Sequence, residues 1–161
     1  MALLDPLMLI IHSFIEVDPF RIYAIFLMVA IFSIQRLSWI KKNLIFIIPI
    51  IIVNALFSWY IEVTYITLYL IVLNLIIFII FLSKAIFEVY KEDIINIFYF
   101  VICVYEISVI MKYILFITDV KTGVIFFYLT SAFEILIGIY FILYNEKNSP
   151  KIKLNMSAQK N

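Results

Sequence analysis

Long apolar runs separated by short charged clusters dominate the chain. A helix that crosses the hydrocarbon core of a bilayer needs about 20 predominantly apolar residues. Five segments meet that requirement, at 19–38, 43–61, 64–83, 94–117 and 122–144. The first is the shortest between charges and reaches full length only if Arg21 and Arg36 snorkel to opposite headgroup layers. From Asn43 to Ser83 the sole charge is Glu62. As one helix that stretch would be about 60 Å long, twice the core thickness, so it must reverse, and Glu62 is where reversal costs least.

The first 17 residues follow a different pattern. Asp5-Pro6 reads as an N-cap followed by proline at the first helical position. A 100° step then gathers Leu7, Ile10, Ile11, Phe14 and Ile15 on one side and His12, Ser13 and Glu16 on the other. Such a helix is too short to span and is expected to lie in the membrane interface. It does not read as a signal peptide, because acidic Asp5 precedes the apolar run and no basic leader is present. Asp18-Pro19 repeats the capping device at the start of the first span. The expected fold is therefore all-α: a polytopic integral membrane protein with an interfacial helix over 1–17, five transmembrane helices within 18–144 and a basic cytoplasmic tail over 145–161.

Lysine and arginine placement orients that bundle. Arg36, Lys41, Lys42, Lys84, Lys91, Lys147, Lys151, Lys153 and Lys160 fall on one side, against Arg21 and Lys121 on the other. The N-terminus is expected outside and the C-terminus in the cytoplasm, with the cell membrane as the expected location. The segment 84–93 reads as a helix continuation or a second surface helix, with Lys84 and Glu88 four residues apart. The tail is polar and basic and is expected to be mobile.

Composition sharpens what is excluded. Apolar residues make up 66% of the 161 and charged residues 14%, against roughly 45–50% and about 25% in globular chains. That leaves too little polar surface to coat a water-soluble sphere, which excludes a soluble enzyme or a disordered region. A lone cysteine, Cys103, excludes a disulfide scaffold. A net charge of +1 provides no basic excess for nucleic acid. No internal repeat supports an inverted-repeat transporter.

Polar residues inside the spans call for an explanation, because a charge at mid-membrane costs about 2.5–3.5 kcal/mol on insertion scales. Three ionisable groups, Glu106, Lys112 and Glu134, and two amides, Asn54 and Asn74, lie there. Counted from the cytoplasmic end of each helix at about 1.5 Å per residue, Glu106, Glu134, Asn54 and Asn74 fall within roughly one turn of a common depth. In the fourth span Asn96, Tyr99, Cys103, Glu106 and Tyr113 share an arc of about 100°. In the fifth, Ser131, Glu134 and Gly138 share a face with small residues on both sides of the carboxyl. The expectation is a carboxyl–amide layer inside spans two to five, with the first span packed outside them. Lys112, about six residues from the outer end of its helix, is expected to snorkel to the headgroups rather than pair with Glu106. Pro49 is expected to bend the second span or loosen it near Ile45.

Two readings of that layer stay open. It is either polar glue that fixes helix register, or a site responsive to protons or cations, since intramembrane carboxyls often mark ion paths. Catalytic chemistry finds little support. One histidine and one cysteine cannot form a metal centre, and no HExxH, GxSxG or GxGxxG string occurs. No cofactor is expected. His12 reads as an interfacial polar contact, and Trp39, Trp59 and Tyr60 sit where interfacial aromatics belong. Three function classes follow: a non-enzymatic subunit or accessory component of a membrane complex, an oligomeric ion- or proton-conducting protein built on Glu106 and Glu134, and an intramembrane lipid-modifying enzyme. The expected partners are lipid and either further copies of the chain or other membrane subunits.

Overall fold

A computed structural model describes residues 18–35, 37–118 and 123–154. It is helical throughout apart from two short strands: α1 (Pro19–Ser33), α2 (Leu37–Tyr60), α3 (Val63–Glu92), β1 (Ile94–Asn96), α4 (Ile97–Thr118), α5 (Gly123–Leu143) and β2 (Lys151–Lys153). The interfacial helix expected over 1–17 lies outside the described residues. Among those described, α2, α3 and α4 are long and apolar enough to cross a membrane, while α1 and the stretch Leu129–Leu143 are shorter apolar helices.

Local chemistry accounts for the helix ends. Asp18 caps α1, its Oδ1 accepting from the Phe20 amide at 3.0 Å, with Pro19 next to it. The helix stops at Ser33 instead of running to residue 38. The Ile34 amide donates to Ala30 O and the Gln35 amide to Phe32 O, which closes the last turn, and the next helix starts at Leu37. With 15 residues, α1 is about 22 Å long. The reversal at Glu62 occurs where the charge pattern places it, between Tyr60 and Val63. α2 continues on both sides of Pro49, and its exposed Trp39 and Trp59 are about 30 Å apart along the axis, matching the hydrocarbon thickness. α3 runs on to Glu92, so 84–92 is a continuation of the third helix.

Packing departs from expectation in one important respect. Ala24 and Leu27 of α1, Ile66, Leu70, Leu73 and Ile77 of α3, and Tyr105, Val109 and Tyr113 of α4 form one core, joined by Ile137 of α5. Helix α1 thus lies inside, with Phe20 against the rings of Tyr113 and Phe116. Helix α2 packs mainly on α1, and α5 on α4. The first span was expected at the periphery because it carries no polar group at the level of the others. Its contribution is instead apolar burial together with the backbone carbonyl of Ala24.

Over residues 145–154 the tail also differs from expectation, and the rest of it, 155–161, lies outside the described residues. The fourth helix starts at Ile97, because Ile94–Asn96 pairs antiparallel with Lys151–Lys153, Ile95 opposite Ile152. The Ile97 amide donates to Pro150 O and the Leu154 amide to Asp93 O, at 3.2 and 2.7 Å. Asp93, at φ 52°, takes the left-handed conformation that ends α3 and turns the chain into β1. Residues 145–154 are therefore a folded strap, not a mobile extension. Asn145 builds its turn, its Oδ1 accepting from the Lys147 and Asn148 amides.

Candidate functional site

Four polar side chains singled out from the sequence are buried: Asn54 (4% exposed), Asn74 (1%), Glu106 (1%) and Glu134 (4%). The structure distributes them over three arrangements.

Asn54 is the junction of three helices. Its Nδ2 donates to Ala24 O in α1 at 3.2 Å, and its Oδ1 accepts from Tyr69 Oη in α3 at 2.5 Å. One turn further on, Ser58 Oγ donates to the Asn54 carbonyl at 2.6 Å. An amide both donates and accepts, so one side chain can tie a backbone on one helix to a hydroxyl on another without stranding a charge.

Asn74 and Glu106 are buried at a common level of α3 and α4. The rings of Phe81 in α3 and Tyr99 in α4 meet at 6.1 Å. Asn74 and Glu106 each lie seven residues further along from that pair in their antiparallel helices, about 10.5 Å or two turns, on the same face. Asn74 Nδ2 donates to Leu70 O in its own helix at 2.7 Å. Glu106 Oε2 is buried with no hydrogen-bond partner among the described residues.

Glu134 belongs to a third arrangement. Its Oε2 lies 3.3 Å from Lys112 Nζ, an ion pair between α5 and α4. This corrects the expectation that Lys112 snorkels to the headgroups. The same register brings Tyr105 and Phe141 together, seven residues before Lys112 in α4 and seven after Glu134 in α5. Glu134 is thus level with Lys112, six residues or about 9 Å beyond Glu106. A common depth for both carboxyls does not hold, because α5 ends at Leu143, which this register sets level with Cys103, six residues inside the start of α4.

The supporting residues fall as periodicity predicts. Tyr99, Cys103, Glu106 and Tyr113 are buried, as is Asn96 just before α4, so the arc faces inward. On α5, Glu134 and Gly138 are buried and Ser131 is half-buried. Sequence reasoning missed the partners: Tyr69 for Asn54, Lys112 for Glu134, and Glu146 for Tyr99, whose Oη donates to Glu146 Oε1 at 2.6 Å. Only the strap carried an advance signal, the turn-forming run Asn145 to Pro150.

Among the described residues no group of three His, Cys, Asp or Glu side chains is placed to hold a metal ion. No protein-family model, curated protein or solved structure matches the chain.

Proposed function

We propose that the chain is a non-enzymatic integral membrane protein that works as a subunit or accessory component of a membrane complex. In this reading it crosses the membrane five times, with its N-terminus outside, its C-terminus in the cytoplasm and the cell membrane as its location. The observation that carries the reading is the contrast between surface and interior. Large apolar side chains stand exposed along α2, α3 and α4, among them Ile45, Val53, Tyr65, Val72 and Phe100, while Asn54, Asn74, Glu106 and Glu134 are enclosed. An apolar exterior of this extent suits lipid and the helices of neighbouring chains. The antiparallel order of the helices also supports the orientation. It puts Lys41, Lys42, Lys84, Lys91, Lys147, Lys151 and Lys153 at one end of the bundle and Arg21, beside the Ile61 carbonyl, at the other.

The test is to recover the tagged chain from its native membrane in mild detergent and determine its mass and companions. A complex with further copies or other membrane proteins is expected. A stable monomer with no companion overturns the reading.

Glu106 favours a second reading, an oligomeric ion- or proton-conducting protein. A buried carboxyl with an oxygen lacking any partner among the described residues is a group that an incoming proton or cation would satisfy. Flux in proteoliposomes is then expected to fall in Glu106→Gln, with Glu134→Gln as the companion variant. Unchanged flux in both removes this reading.

A further inference from the structure

The inward stripe of α4 runs from the cytoplasmic end through Asn96, Tyr99, Cys103 and Glu106, at spacings of three, four and three residues, all buried. Its first two members are held by the strap. Asn96 Nδ2 donates to the Glu146 carbonyl at 3.3 Å, and Tyr99 Oη donates to Glu146 Oε1 at 2.6 Å. The strap is fastened at three further points: the β1–β2 ladder, the Ile97-to-Pro150 backbone bond, and the hydrogen bond between Tyr140 of α5 and Ser149 at 2.7 Å. It therefore spans the cytoplasmic ends of α3, α4 and α5 and covers the end of the stripe that leads inward to Glu106.

The strap itself lies at the surface: residues 145–148 and 150–153 are exposed, and its ladder is only three residues long on each strand. A segment with few buried apolar contacts and exposed backbone hydrogen bonds opens more readily than the core it lies against.

We infer that residues 145–154 form a releasable cover over the cytoplasmic end of the Asn96–Tyr99–Cys103–Glu106 stripe, with the Glu146–Tyr99 hydrogen bond as its catch. Release makes the stripe accessible from the cytoplasm as far as Cys103. The inference rests on the membrane-embedded reading and on the cytoplasmic side of the C-terminus, but not on ion conduction.

Cys103 is the chain's single cysteine, so the native thiol reports access. Full-length protein is reconstituted in liposomes and sorted for strap-outward orientation. A membrane-impermeant maleimide measures the labelling of Cys103, and brief trypsin treatment at Lys147, Lys151 and Lys153 measures release of the strap. Wild type is expected to label slowly. Glu146→Ala is expected to speed both labelling and cleavage by about tenfold, through loss of one charge-assisted hydrogen bond. Ile152→Pro, which takes an N–H out of the strand paired with Ile95, provides a second way to release the strap. Faster cleavage in the releasing variants with Cys103 labelling unchanged overturns the cover. No change in either readout for both variants overturns the catch. Because neither readout involves flux, a non-conducting protein leaves the test intact, and strap lysines found on the outer face would overturn the underlying orientation instead.

Discussion

Glu134 and Glu106 are the same residue type on adjoining helices, both withdrawn from the exterior, yet the fold treats them differently. At the α4–α5 contact Glu134 has Lys112 at 3.3 Å. At the α3–α4 contact Glu106 lies at the level of Asn74, and the hydrogen bond found for the Asn74 side chain goes to Leu70 O in its own helix. The first region contains its own countercharge, and the second sets no cation against Glu106 among the described residues, although each carboxyl keeps one buried oxygen, Glu134 Oε1 and Glu106 Oε2, that accepts no hydrogen bond there. A carboxyl paired within the bundle acts as structure. One that is left over is a cost to stability that some other requirement must sustain.

The largest expected effect comes from breaking the paired region. Lys112→Met leaves the Glu134 carboxyl buried without its cation, and loss of one partner from a buried pair costs about 3–5 kcal/mol. Unfolding titrations in mixed detergent should show that loss. The double variant Lys112→Met/Glu134→Met should recover most of it, because two apolar side chains of similar size strand no charge. A double variant as unstable as the single one would mean that the ion pair is not what holds α4 to α5.

The Asn54 junction ranks next. Asn54→Leu removes the bonds to Ala24 and Tyr69 together, and interhelical hydrogen bonds in membranes contribute about 0.6–2 kcal/mol each. The same titration should register a loss of about 1–3 kcal/mol. Tyr69→Phe, which removes one of the two bonds, should lose about half as much. Equal losses in the two variants would mean that the Ala24 contact contributes nothing and that α2 is held to α1 by packing alone.

These ranks could not be read from the sequence, although much of the fold could. The cap at Asp18, the reversal at Glu62 and the inward arc from Asn96 to Tyr113 all follow from local rules, namely capping chemistry, the cost of burying a charge and a 100° helical step. Whether a buried group has a partner depends on the register between helices, which periodicity within one helix does not encode. Counting depth from each helix end places Glu106 and Glu134 together only if the helices end at one plane. The Tyr105–Phe141 contact instead sets Leu143, the end of α5, level with Cys103, six residues inside the start of α4 at Ile97. That offset moves Glu134 beyond Glu106 and opposite Lys112. The strap was hidden for a related reason. Strands of three residues are too short to show alternation, and a lysine-rich tail reads by composition as solvated.

The smallest expected effect tests the comparison most directly. Glu106→Met removes a carboxyl whose Oε2 accepts no hydrogen bond from the described residues, and its side chain fills a similar space. Stability should change by less than about 1 kcal/mol, with a gain as acceptable as a small loss. Set beside the loss expected for Lys112→Met, that result would separate a structural carboxyl from one kept for another purpose, before any transport assay is attempted. If Glu106→Met falls as far as Lys112→Met in the same titration, Glu106 has a partner in the folded protein beyond the residues described, and the two carboxyls are alike after all. The case for Glu106 as the residue that a proton or cation visits would then lose its physical basis, while the Asn54 junction and the Lys112–Glu134 pair would stand as the interior of a purely structural bundle.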